Sequence, residues 1–112
     1  MFSHMKSLAA AAVVALLIPA AHAQQKVLNL YSSRHYQTDE ALYANFTKQT
    51  GIKINRIEGS EDPLIERIRN EGERSPADVL ITVHAGRLWR AEQLGLFQPV
   101  KSKVLEARIP SP

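Results

Sequence analysis

Residues 26–31, KVLNLY, put Val27, Leu28, Leu30 and Tyr31 in a short apolar run, the pattern of a buried strand. TDEALYANFTKQTG then reads as a helix. Thr38 stands at its N-cap position, Asp39 and Glu40 in its first turn, and Gly51 just past its end. Leu42 and Phe46, four apart, would share its buried face. IKINRI, residues 52–57, alternates β-branched and polar positions and predicts a second strand. GSEDPLIERIRNEG predicts a second helix, with Ser60 as N-cap, Pro63 in the first turn and Leu64, Ile65 and Ile68 on one apolar face. Gly72 ends it, and ERSPA forms a loop. DVLITV, residues 78–83, predicts a third strand. HAGRLWRAEQLG predicts a third helix, its apolar side made of Leu88, Trp89, Ala91 and Leu94. SKVLEARI allows a short fourth helix, and IPSP reads as an unstructured end.

Strands and helices alternate with short connections, so the fold class is α/β: a parallel sheet with flanking helices and right-handed crossovers. Ligands of such sheets bind beyond the carboxyl ends of the strands. SSRHY follows the first strand and HAGR the third, so both would lie on that rim. Three strands would leave open edges with unpaired N–H and C=O groups. Residues 24–112 therefore read as part of a larger unit.

The first 23 residues change the picture of where the protein works. Lys6 precedes the uncharged apolar run SLAAAAVVALLIPA, which ends in Ala21-His22-Ala23. That order is the secretory leader pattern, with cleavage expected after Ala23. The run is short for a membrane span. Residues 1–23 are thus expected to be a signal peptide and residues 24–112 the exported chain. The formal charge of +3 falls by one when Lys6 is removed. The remaining basic residues are scattered among acids, as on a solvated surface, which gives nucleic-acid binding no support. With no cysteine, disulfides and thiolate metal sites are excluded. Neither a nucleophile elbow, an H-E-x-x-H zinc motif, a P-loop nor a dinucleotide fingerprint is present. Ser32 and Ser33 lie near His35, but adjacent loop residues rarely aim at each other, and no Asp orienter is evident. The chain therefore does not read as an enzyme.

LNLYSSRHYQTDEALYANFTKQTGIKINRIEG, LIERIRNEGERSPADVLITV and AGRLWRAEQLGLFQPV together resemble the amino-terminal part of the ferric-iron-binding periplasmic proteins of bacterial ABC importers. The resemblance spans nearly all of residues 26–110. It implies a type II periplasmic-binding-protein-like fold, of which this chain would be an incomplete first lobe of the two that close around Fe³⁺. It implies a periplasmic location, Fe³⁺ as the bound ion and an inner-membrane ABC permease as partner. In the tyrosine-rich branch the metal takes phenolates from the second lobe and the His-Tyr pair after the first strand, here His35 and Tyr36. A different branch places a Glu where this chain has Val83, which favours the tyrosine-rich branch.

The chemistry of the pair agrees with the resemblance. Fe³⁺ is a hard cation that favours anionic oxygen, and the Tyr36 phenolate would suit it. Losing the phenol proton would make affinity fall in acid. His35 would offer neutral nitrogen and would need a partner to fix its tautomer. Arg34 would either balance charge around a synergistic anion or pair with a nearby carboxylate. His84 stands where relatives are expected to carry Asp. It would either cap the third helix less well than Asp or face the cleft as an extra ligand. Tyr31 and Tyr43 read as packing residues. Without the second lobe and its tyrosines, Fe³⁺ binding by this chain would be weak or absent, so a remnant without metal activity is the alternative function.

Overall fold

The computed structural model describes residues 24–111, and the expected leader at 1–23 lies outside them. Strand β1 (Val27–Ser32) is followed by α1 (Asp39–Thr50), β2 (Lys53–Glu58), α2 (Glu61–Glu71), a 3₁₀ turn (Gly72–Arg74), β3 (Val79–Ile81), α3 (Ala85–Gln93) and α4 (Lys103–Arg108). The sheet is parallel with the order β2-β1-β3. Its register runs from Val27 opposite Lys53 to Ser32 opposite Glu58 on one side, and from Leu30 opposite Val79 to Ser32 opposite Ile81 on the other. The expected α/β order with parallel strands is therefore the observed one. Among the described residues no helix is long and apolar enough to cross a membrane.

The central strand carries the core. Leu30, Tyr31 and Ser32 are buried, and β1 packs on α2, whose Leu64 and Ile65 are also buried. Ala91 of α3 and Asp39 of α1 are the other buried residues among those described, and α3 packs on α2. Ile68, the third residue of the expected α2 face, is half-buried. The Tyr31 ring is fully enclosed, and its hydroxyl donates to the Glu71 carboxylate at 3.0 Å. Arg67 Nε and Ser75 Oγ donate to the same carboxylate, each at 2.7 Å. The buried phenol thus has its polar atom satisfied, as burial requires. Desolvation by burial, then the bond to Glu71, pushes the Tyr31 pKa up, so this phenol stays protonated and serves packing.

Several local expectations need correction. Thr38 does not cap α1 with its side chain: it is already helical, at φ −62° and ψ −24°. The turn before it is wound by backbone bonds from Asp39 N–H to Tyr36 O and from Glu40 N–H to Gln37 O. Ser60 has extended N-cap geometry but makes no side-chain cap bond. The third strand keeps only residues 79–81 of the expected 78–83. At its start, the Asp78 carboxylate accepts the Asn29 N–H at 2.8 Å; at its end, Glu61 captures the N–H groups of Val83 and His84. Leu42 is 63% exposed, and Leu88 and Trp89 are 45% and 62% exposed, against the apolar faces expected of α1 and α3. A three-stranded sheet supplies too little surface to cover both helices. Gly51 does end α1 in the left-handed region, at φ 71°, with its N–H on Thr47 O.

This distribution of burial sets the cost of truncation. Ile65→Ala is expected to lower the unfolding free energy by about 2–5 kcal/mol. Leu42→Ala is expected to change it by no more than about 0.5 kcal/mol. Urea denaturation of both variants beside the parent measures the contrast.

Candidate metal site

The end of β1 is shaped before it presents any functional group. Ser32 is buried, and its hydroxyl donates to Arg34 O and accepts from Arg34 N–H, both at 3.1 Å. The hydroxyl thereby folds the chain over the end of the strand. Ser33 N–H donates to Ile81 O at 3.0 Å and ties the turn to β3. Both serines thus hold the turn through hydrogen bonds, the Ser33 hydroxyl also donating to Ile81 O at 3.3 Å and Glu61 at 3.4 Å.

Arg34, His35 and Tyr36 then leave the sheet at its carboxyl end. The Arg34 guanidinium grips Asp39 at 2.6 and 3.2 Å and lies 4.8 Å above the Tyr36 ring. Arg34 thus pairs with a nearby carboxylate, and it stacks on the tyrosine besides. Tyr36 remains half exposed. His35 is also half exposed, with Nδ1 3.9 Å from Glu58 Oε2. Arg34, His35, Tyr36, Glu40, Arg56 and Glu58 are among the residues lining a cavity of about 300 Å³ at this end of the sheet. Arg56 bridges Glu40 at 2.5 Å and Glu58 at 3.5 Å, with its guanidinium over the Tyr43 ring. Tyr43 thus packs, as expected, but against a cation.

His84 lies apart from this cavity. It occupies the N-cap position of α3, where its side chain makes no cap bond. Its Nδ1 is 2.9 Å from Glu61 Oε2, while Glu61 Oε1 accepts the backbone N–H of Val83 at 2.6 Å and of His84 at 3.0 Å. Glu61, from the first turn of α2, supplies the negative charge that an Asp at position 84 would have brought to the start of α3. Sequence patterning missed this residue. A Glu opening a helix reads as an acid on its own helix dipole, and nothing local reveals partners more than twenty residues away. The side-chain bond to His84, followed by the backbone N–H bonds, holds the Glu61 pKa down at about 2. Among the described residues, no three His, Cys, Asp or Glu side chains cluster so as to hold a metal ion. A metal at this rim would depend on the tyrosine.

Known proteins resemble this chain over most of its described length. No family model matches the chain. It is 62% identical over 87 residues to iron uptake protein A1 of a Synechocystis species, an alignment covering 78% of this chain and 24% of that protein. It is 31% identical over 98 residues to the Fe(3+)-binding periplasmic protein of Serratia marcescens, covering 88% of this chain and 29% of the relative. The solved structure of Trichodesmium IdiA (FutA), described as a complex with iron and citrate, superposes with a TM-score of 0.71. That match has 62% identity over 75% of this chain and 27% of the other. The chain is homologous to ferric iron-binding periplasmic proteins. It spans about a quarter of the length of these relatives, and within that quarter it shares the type II periplasmic iron-binding fold.

Glu61 gives the site a measurable acid response. Its folded pKa lies below the ordinary carboxylate value, so its contribution to stability is complete above about pH 4.5 and is lost as the pH falls toward 2. Glu61→Gln is expected to flatten the loss of stability across that window. Glu71, whose pKa is also lowered, should keep part of the slope. Denaturant midpoints measured from pH 6 to pH 2 test this.

Proposed function

We propose that this chain contributes the first-lobe half-site of a periplasmic ferric-iron receptor, which carries Fe³⁺ to an inner-membrane ABC permease. His35 and Tyr36 are the ligands it offers. The observation that carries the reading is the pair's position. Two neighbouring oxygen and nitrogen donors, both half exposed, stand just beyond the carboxyl end of the central strand and open onto one cavity. That is where α/β sheets bind their ligands. The relatives named for iron uptake and Fe³⁺ binding support the choice of ion and a role in transport rather than catalysis. The Serratia protein's periplasmic location fits residues 1–23 as a cleaved leader and residues 24–112 as the exported chain.

Each residue has a defined task. The Tyr36 phenol loses its proton and gives Fe³⁺ an anionic oxygen, and His35 gives a neutral nitrogen. Arg34, held on Asp39 and stacked on the Tyr36 ring, keeps the ring in place and lays positive charge beside the developing phenolate. His84 is given no ligand role, because it lies outside the cavity that His35 and Tyr36 line. Two donors leave most of the Fe³⁺ coordination sphere to water, an anion or donors from outside these residues, so the half-site alone binds weakly.

Titrating the purified chain with ferric nitrilotriacetate is expected to raise a saturable visible band from phenolate-to-iron charge transfer, and Tyr36→Phe is expected to abolish it. Displacing one phenol proton should weaken binding about tenfold for each pH unit of acidification. A band indifferent to Tyr36, or none at all, would remove the assignment.

A further inference from the structure

We propose that Glu58, the last residue of β2, is the positioning residue for His35. From 3.9 Å in this structure it closes on the imidazole to accept a hydrogen bond from Nδ1–H, which leaves the Nε2 lone pair to face the cavity. The inference rests on the metal-binding role proposed for His35, and nothing in the local sequence marks Glu58 for it. The backbone creates the encounter. Glu58 is the β2 partner of Ser32 in the last rung of the parallel ladder, the point at which β1 gives way to the turn that carries His35. The carboxylate and the imidazole both line the same cavity. Nδ1, rather than Nε2, is the ring atom nearest to it, at 3.9 Å from Oε2. Closing that gap to a hydrogen bond takes about 1 Å of side-chain movement. Two half-exposed side chains can supply it.

The carboxylate is itself held. Its other oxygen is 3.5 Å from Arg56 Nη1, and Arg56 is gripped by both oxygens of Glu40 and lies over the Tyr43 ring. A chain of contacts from α1 through β2 therefore aims Oε2 at the imidazole. Stability does not account for the arrangement, because a half-exposed ion pair at this distance is worth little. Orientation does. A metal-binding imidazole needs its second nitrogen anchored by an acceptor, and removing such an acceptor commonly costs 10–100-fold in metal affinity. No other carboxylate forms an ion pair with His35 among the described residues.

The decisive experiment reads the tautomer without metal. The purified, ¹⁵N-histidine-labelled chain is examined by long-range ¹H–¹⁵N correlation at a pH where the ring is neutral, with the His35 signals assigned from His35→Ala. The parent is expected to carry the proton on Nδ1. Glu58→Ala is expected to return the ring to a mixture of tautomers, and Glu58→Gln, whose carbonyl oxygen still accepts, to regain the Nδ1–H form. In parallel ferric nitrilotriacetate titrations, Glu58→Ala should lose 10–100-fold in affinity, and Glu58→Gln should recover part of that loss. An unchanged tautomer in Glu58→Ala overturns the proposal. So does a Glu58→Gln variant that keeps the tautomer yet loses as much affinity as Glu58→Ala, because the carboxylate would then be a direct ligand. A tautomer that responds to Glu58 in a chain with no ferric band would retain the positioning contact and reject the metal reading instead.

Discussion

Ser32 closes two ladders at once, opposite Glu58 on β2 and Ile81 on β3. This double pairing of the central strand is the constraint on which the site depends. A strand held on both sides cannot slide or twist away without breaking hydrogen bonds along both edges. The turn that follows therefore leaves the sheet at a fixed point. The Ser32 hydroxyl then bridges the N–H and C=O of Arg34, and Ser33 N–H reaches back to Ile81 O, so the first residues beyond the strand are as well placed as the strand itself. His35 and Tyr36 gain their position from backbone pairing, although neither side chain is buried.

Two tyrosines on this short segment show how environment separates chemistry. Tyr31 and Tyr36 carry the same phenol. The first is enclosed between the sheet and α2, with its hydroxyl on a carboxylate, and burial drives its pKa up. That phenol is a core residue with a satisfied polar end. The second lies beyond the sheet, half exposed, under the Arg34 guanidinium. At Tyr31, desolvation and then the adjacent Glu71 disfavour a phenolate, even with the Arg67 guanidinium over the ring.

Charge on the rim is arranged by carboxylates reaching between elements. Asp39 at the start of α1 holds Arg34, and Glu61 at the start of α2 holds the start of α3. Glu40 of α1 holds Arg56 of β2. Acids at helix N-termini are favoured by the dipole in any case. Here they also hold the loops that follow β1 and β3. The His84 position illustrates the economy of this arrangement, since the acid that α3 lacks at its own N-cap is delivered by the neighbouring helix.

The alternation of apolar runs and amphipathic stretches was enough to order the strands and helices, to make the sheet parallel and to place SSRHY at the carboxyl end of its central strand. Those features follow from local periodicity and from the geometry of parallel crossovers, which a linear pattern carries in full. The residues quoted around SSRHY and SPADV also carried the resemblance that homology bears out. What the linear pattern could not carry was which side of each helix finds a partner. Leu42, Leu88 and Trp89 have the spacing of core residues, yet stay exposed, because burial depends on what stands opposite and not on the helix alone. Nor could it show where the carboxylates reach. Glu61 and Glu58 read as an acid opening a helix and an acid closing a strand. Only the folding of α2 against α3, and the register of β2 against β1, brings them to His84 and His35.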